Sequence, residues 1–430
     1  MKCGFAQAII TPAPGDVYQD GYGFRIHPAE GVRDELYAKV CAIEDGDFRF
    51  AIVSLDVCGF SPETVDHLRE HIVSLSGLPA DHIAICATHT HAGPAGGILC
   101  DLPVNGLVWA RIGEIAGRMA KNALETTVEG HFSAAFGHDL TYLYNRRGRK
   151  PFDPRVRAAA FIDMQGHVRG ILATAACHAV INTTYQLSAD FPGVLTREAT
   201  RVYGVPALFL QGADGDIDPH FVGKPSVDEK IELLGGEFAA SVLDAVKTAA
   251  PLASSAPTRS AVVYATLPMR DTPDEQTLLA RLDRLEAAYY AVDETAPGGA
   301  VDKRIRLREL LWTRDALARV RSGFTENTLT VPAMTFVAGG LAFIFSPFEL
   351  LTLTGAALNE QLSSLGVPDA ARFVVSYANG TRGYLATAAE LPLGGYEFDN
   401  APLWYGMPFC TGETEGAYLD TTAQAVAAVR

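Results

Sequence analysis

Short apolar runs that each break off into polar, chemistry-bearing residues constrain this chain more than any other feature. Phe48 to Val57 carries Asp56 near its end. Ile83 to Ala87 runs straight into Thr88-His89-Thr90-His91, and Val168 to Ala176 into Cys177-His178. Val205 to Gln211 feeds the stretch Gly212 to Asp218, and Leu341 to Phe345 gives way to Ser346-Pro347-Phe348-Glu349. Runs of this length bounded by turn residues read as buried strands. Helical patterns alternate with them. Pro62 to Leu75 has Ser61 placed as its cap and Pro62 at its first position; Leu107 to Thr126 and Asp228 to Ala249 follow. The alternation predicts an α/β fold, a mixed β-sheet core flanked by helices.

The second half adds further elements. Pro273 to Ala291 and Asp302 to Arg321, around the break Pro297-Gly298-Gly299, predict a helical hairpin excursion near 273–321. Leu329 to Val337 and Leu341 to Phe345 flank Gly339-Gly340, a β-hairpin signal. Leu351 to Leu362 reads as a helix and Phe373 to Tyr377 as a strand. The Gly-, Pro- and aromatic-rich stretch Ala378 to Pro408 reads as loop that lines a site. With no internal repeat or linker, and polar clusters at strand ends in both halves, one catalytic unit over residues 1–430 is the expected organisation.

Composition narrows the function. A formal net charge of -15 lacks the basic footprint of a nucleic-acid binder and argues against docking on an anionic membrane surface. No apolar run reaches the roughly 20 residues of a membrane span, so no integral membrane segment is expected. The seven cysteines are scattered, with no C-x-x-C pair. That pattern suits buried thiols in a reducing compartment, and a cytoplasmic location is expected.

Among residues that carry chemistry, His89 and His91 stand two apart at a strand end. If strand geometry persists they project to one face. Imidazole is the commonest metal ligand near neutral pH, although hydrogen-bonded loop histidines would give the same spacing. His178 is a third imidazole at a strand end. Glu349 could complete a metal site or be a first-turn carboxylate favoured by a helix dipole. Gly212-Ala213-Asp214-Gly215-Asp216-Ile217-Asp218-Pro219-His220 offers carboxylates for base chemistry on a glycine-relaxed loop, without the spacing of an EF-hand. Tyr144-Asn145-Arg146-Arg147-Gly148-Arg149-Lys150 is the dense basic cluster, suited to a substrate carbonyl or anionic group or to a solvated loop.

Several segments recur in a familiar order: Ala8-Ile9-Ile10-Thr11-Pro12, Thr88-His89-Thr90-His91-Ala92-Gly93-Pro94, Asn145-Arg146, Ala189-Asp190-Phe191-Pro192-Gly193, Gly215-Asp216-Ile217-Asp218-Pro219, Pro347-Phe348-Glu349, and the tyrosines Tyr384 and Tyr396. In this order the chain resembles the catalytic domain of the neutral/alkaline (non-lysosomal) ceramidases. The resemblance implies a Zn2+ ion held by His89, His178, Glu349 and Tyr384. It places His91 beside the metal facing substrate, and Arg146 and Tyr396 on the scissile carbonyl or its oxyanion. The family's C-terminal immunoglobulin-like domain has no counterpart in the matching pieces. One departure bears on chemistry: the family's loop reads Gly-Asp-Val-Ser-Pro-Asn with a catalytic serine, where this chain has Asp218 and then His220 after the proline.

A carboxylate is a poor nucleophile for an amide but a good general base for water. The expected activity is therefore a zinc-dependent hydrolase, an amidase that uses metal-activated water on an amide or ester-like bond. Its substrate would be a small molecule, a lipid amide or a small polar compound, rather than ceramide itself. Two alternatives stand beside it: zinc-dependent opening of a sugar or lactone, with Tyr396, Phe398, Trp404 and Tyr405 stacking on the ring, and a non-catalytic metal-binding protein.

Overall fold

The computed structural model describes residues 1–148, 152–253, 257–324 and 327–430. Two sheets pack face to face with helices on both outer sides, giving four layers. The larger is a nine-stranded mixed sheet. Its central path runs, in order, through Ala207–Phe209, Val168–Thr174, Arg155–Asp163, Val128–Asp139, Lys2–Ile9, Tyr37–Asp45, Phe48–Leu55 and Ile83–Ala87, and Ala250–Pro251 pairs with Val128–Asp139. The pairs at its two ends, Ala207–Phe209 with Val168–Thr174 and Phe48–Leu55 with Ile83–Ala87, are parallel. The second sheet has four strands, Arg259–Pro268, Thr328–Ala338, Leu341–Phe345 and Arg372–Val375, with the last pair parallel.

Residue alternation explains the layering. In the strand Tyr37–Asp45, Ala38, Val40 and Ala42 face one core with the helices Pro62–Ser76 and Gly106–Glu125. Cys41 and Ile43 face the second sheet, where Phe336, Phe343 and Phe345 fill the space between the sheets. Phe50 stacks flat on Phe336 across that gap, centroids 3.8 Å apart. Helices Asp190–Tyr203 and Val227–Thr248 cover the other half of the large sheet, and Thr352–Ser363 and Thr414–Ala428 cover the small one.

The helix ends follow their sequence signals. Ser61 accepts from the Thr64 amide, and Gly77 closes that helix in the left-handed conformation. Ser226 and Glu229 form a reciprocal capping box. The expected helical hairpin is present as Glu275–Tyr290 and Gly299–Arg321. It is inserted between two strands that pair with each other, Arg259–Pro268 and Thr328–Ala338. Arg304 and Arg308 of its second helix both hold Asp101, and the Arg308 guanidinium lies 3.3 Å over the Trp404 ring. The stretch Ala378 to Pro408, expected as loop, contains short elements as well, including the helix Ala401–Tyr405. Among the described residues, no helix is long and apolar enough to cross a membrane.

Candidate metal centre

The strands Ile83–Ala87, Val168–Thr174, Ala207–Phe209, Leu341–Phe345 and Arg372–Val375 all belong to parallel pairs. The chain beyond their carboxyl ends supplies one cluster: His89, His178, Asp214, Glu349 and Tyr377. The loops carrying these residues are tied to one another by main-chain hydrogen bonds. The His91 amide donates to Ala179, His178 to Ile217, Gly215 to Leu350, and Glu349 to Gly383. A Cβ on Gly215 would lie 2.9 Å from the Leu350 carbonyl oxygen, so only glycine allows that approach.

The histidine pair converges by a route other than the expected one. The strand ends at Ala87, and His89 takes φ +63, in the left-handed region. That bend, rather than strand alternation, brings His91 Nε2 to 3.1 Å from His89 Nε2. Glu349 is likewise not in a helical first turn. It sits in a two-residue strand paired in parallel with Tyr384, and the helix begins only at Thr352.

Four of the expected site residues meet. Glu349 Oε2 lies 3.9 Å from His89 Nε2 and 3.5 Å from His178 Nε2, and the Tyr384 hydroxyl lies 3.5 Å from His178 Nε2. Each histidine's Nδ1 is 2.7 Å from a main-chain carbonyl, that of Cys58 for His89 and that of Asp214 for His178. A carbonyl only accepts, so each Nδ1 carries a proton. His89, neutral, keeps its Nε2 lone pair, whereas His178 Nε2 shares a hydrogen bond with Glu349 and frees its lone pair only on losing a proton. Two ligands about 2.1 Å from a tetrahedral ion sit about 3.4 Å apart. The two 3.5 Å separations lie close to that spacing and the 3.9 Å one is longer, so the donor set can take up a divalent metal such as zinc after a small inward shift.

Other groupings of potential ligands are present: His89 with His178 and Asp214, and Cys58 with His89 and His91. Cys58 Sγ lies 3.7 Å from His89 Nδ1 and Asp214 Oδ2 lies 3.5 Å from His178 Nδ1, both on the side where a carbonyl already binds the ring. Burial also pushes the Cys58 thiol well up, which keeps it from the thiolate form.

The two histidines sit in different electrostatic surroundings. Burial favours a neutral His89 and brings it down to about 3 despite the nearby Glu349 carboxylate. Burial acts the same way on His178, but Asp214 and the hydrogen bond with Glu349 outweigh it and push it up to about 9. Burial would raise Glu349, yet the His178 hydrogen bond and the two imidazoles hold it at about 2. Asp214, buried, is raised to about 7.

Arg146 sits at the mouth. It donates to the Tyr384 hydroxyl (3.0 Å), the Gly215 carbonyl (2.8 Å), Glu397 (2.9 Å) and Asp218 (3.3 Å). Asp218 Oδ1 is also 3.8 Å from His178 Nδ1. Tyr396 stands further out, 44 % exposed, its ring 6.1 Å from that of Tyr384. It helps to line an open cavity of about 530 Å³ with Arg146, Arg147, Leu393, Gly395 and Glu397. Arg147 pairs with Glu397 and Glu390, while Arg149 and Lys150 lie outside the described residues. His220 packs its ring edge-on against that of Tyr144.

Two residues at the site have roles that the sequence did not suggest: Tyr405, expected only as a stacking aromatic, and Tyr377, expected only as a strand residue. Tyr405 donates to Glu349 Oε1, and Tyr377 lies flat on His89. Asp216 is structural: it accepts from Asn145, from the Thr352 amide and from the Thr352 hydroxyl. Of the aromatic residues that suggested sugar stacking, Trp404 is covered by Arg308, Phe398 is buried under Arg147 and Tyr405 is engaged by Glu349.

Comparison with known proteins agrees with the resemblance read from the sequence. The chain is 24% identical over 259 residues to the neutral ceramidases of Drosophila pseudoobscura pseudoobscura and Drosophila melanogaster, a match covering 52% of this chain. It spans only 36% of each fly enzyme's length. The neutral ceramidase of Pseudomonas aeruginosa superposes with a TM-score of 0.75 at 18% identity, over 99% of this chain and 74% of that one. A ceramidase complexed with C2 gives a TM-score of 0.75 at 17% identity, over 100% of this chain and 75% of that one. No protein-family model matches the chain. The chain is thus similar to neutral ceramidases in sequence over about half of its length and shares the fold of the ceramidase structures.

Proposed function

We propose that the chain is a zinc-dependent hydrolase that cleaves an amide or ester-like bond in a small molecule, a lipid amide or a small polar compound, other than ceramide itself. The observation that carries this reading is the convergence of His89 Nε2, His178 Nε2 and Glu349 Oε2 with both Nδ1 atoms capped. In this reading Tyr384 is the fourth ligand. Zinc held there would supply a Lewis acid and lower the pKa of a water to about 7.

The chain's own groups do the rest. Arg146, fixed by Glu397 and the Gly215 carbonyl, presents its guanidinium beside the Tyr384 hydroxyl, where negative charge on a scissile carbonyl oxygen would develop. His91, with Nε2 3.1 Å from His89 Nε2, would stand beside the metal facing substrate. Tyr396 at the mouth orients the substrate. Asp218 holds a carboxylate next to Arg146, in reach of a proton released from water. Its replacement of the family's serine is what argues against ceramide.

The test is metal analysis of purified chain followed by a screen of N-acyl amides, esters, lactones and glycosides. About one zinc per chain and amide or ester turnover abolished in His89→Ala are expected. Zinc-loaded protein that turns over only lactones or glycosides, or none of the four classes, overturns the reading. For Asp218, Asp218→Asn should lower kcat by at least about 10²-fold, and full activity in that variant would remove its proton-transfer role.

A further inference from the structure

Tyr377 is the most constrained residue near the metal centre, and neither the ligand set nor the reaction uses it. Its φ is +52, in the left-handed region that a tyrosine rarely adopts. His89 is in the same region, and their rings stack 3.8 Å apart at 9°. Two adjoining side chains each held in a backbone conformation costing about 1–3 kcal/mol persist only where the surroundings over-determine them. The surroundings are visible. The Tyr377 carbonyl accepts from the Ala87 amide, Ala378 bridges to Cys86, and the Asn379 amide donates to Ile85. The segment after Arg372–Val375 is thereby laid along the strand that delivers His89.

The hydroxyl end is equally specific. Tyr377 donates to Asp214 Oδ1 at 2.9 Å, and its oxygen lies 3.3 Å from Glu349 Oε2, the oxygen that faces both histidines. Asp214 Oδ2 has no hydrogen bond among the described residues and lies 3.5 Å from His178 Nδ1. Tyr377, Asp214 and Glu349 are each fully buried. One phenol therefore touches two of the four candidate ligands, His89 and Glu349, and reaches His178 through Asp214.

We infer that Tyr377 and Asp214 form a positioning pair that sets the plane of His89 and the rotamer of Glu349 for metal binding. This inference rests on the metal reading above. A buried hydroxyl between two carboxylates with only a packing role would be costly to retain, because aliphatic or phenyl side chains fill space without a polar group to satisfy.

The experiment is zinc affinity by chelator competition, with the visible spectrum of the Co2+-substituted chain as a second readout, for wild type, Tyr377→Phe, Asp214→Asn and the double variant. Tyr377→Phe keeps the ring stack and loses only the hydroxyl. Its zinc affinity should fall about 10–100-fold, with a shifted cobalt spectrum and a melting temperature close to wild type. The double variant should cost no more than the larger single change, since the two act as one unit. Wild-type affinity within twofold and an unchanged cobalt spectrum in both single variants overturn the pairing. A wild-type chain that binds no metal overturns the metal reading itself, and the pairing with it. If Tyr377→Phe does not fold, Asp214→Asn decides by the same two readouts.

Discussion

Loading the site with zinc at pH 7 should expel a proton. In the metal-free chain His178 is held as imidazolium, its pKa pushed up to about 9 by Asp214 and Glu349 against the effect of burial. A metal needs the Nε2 lone pair, so that proton must leave. The gap of about two units between pH 7 and the His178 pKa corresponds to a cost near 3 kcal/mol, or roughly a hundredfold in apparent affinity. His89 adds nothing to this cost, since it is already neutral with a pKa near 3. The sign follows directly. As pH rises from 6.5 toward 9, the proton competes less, and the apparent zinc affinity should climb about tenfold per unit before levelling off. In the metal-free chain the same proton makes the opposite contribution: the stability it confers is complete below about 6.5 and is lost as pH passes about 9. Calorimetric titration in buffers of different ionisation enthalpy counts the released protons. About one per zinc is expected from His178. A count nearer two adds the Tyr384 phenol, which burial keeps protonated. A flat affinity between pH 6.5 and 8.5 with no proton release refutes the reasoning.

Other consequences can be checked on stability. Lys39 and Asp56 form a fully buried ion pair at 2.7 Å, and Asp56 also accepts from the Tyr37 amide; Lys39→Met alone should cost about 3–5 kcal/mol in urea unfolding, and Lys39→Met with Asp56→Leu should recover most of it. Gly93→Ala would put a methyl 2.8 Å from Val57 Cα and 2.9 Å from the Asp56 carbonyl oxygen. It should shift the loop behind His91 and lower both stability and zinc affinity, measured by melting and chelator competition. Trp404→Ala removes the ring beneath Arg308, so a loss of more than about 2 kcal/mol is expected by denaturant titration.

The strand ends made much of the site legible. His89, His178 and Glu349 each follow an apolar run, and the parallel pairing of those runs brings them to one edge of the fold. What escaped the sequence lay in backbone geometry that residue patterns do not encode. The left-handed turns at His89 and Tyr377 lie at non-glycine residues, and a tyrosine rarely takes that conformation, so nothing marked Tyr377 as more than the last residue of a strand. The pairing of Glu349 with Tyr384 joins two-residue strands too short to show any period. The strand Arg259–Pro268 was not read either: it is only partly buried, and its pairing with Thr328–Ala338 is separated in sequence by the whole helical hairpin. The helix Asp190–Tyr203 begins at a left-handed aspartate without a side-chain cap on its Ncap residue, so its start signal was missing.

That hairpin has a consequence of its own. The strands on either side of it already meet: the Met269 amide donates to the Asn327 carbonyl at 2.7 Å. Topologically, then, Glu275–Arg321 is the loop of a β-hairpin, and closing a longer loop adds only about 0.6 kcal/mol for each doubling of its length. Through Arg308 on Trp404 and Trp312 on the Met407 carbonyl, it backs the segment that bears Tyr396 and Tyr405. The proposed metal ligands come from elsewhere, off the parallel strands. The hairpin is thus a cassette whose length the fold tolerates, and its one route to the candidate ligands runs through the segment it backs, by way of the Tyr405 hydrogen bond to Glu349.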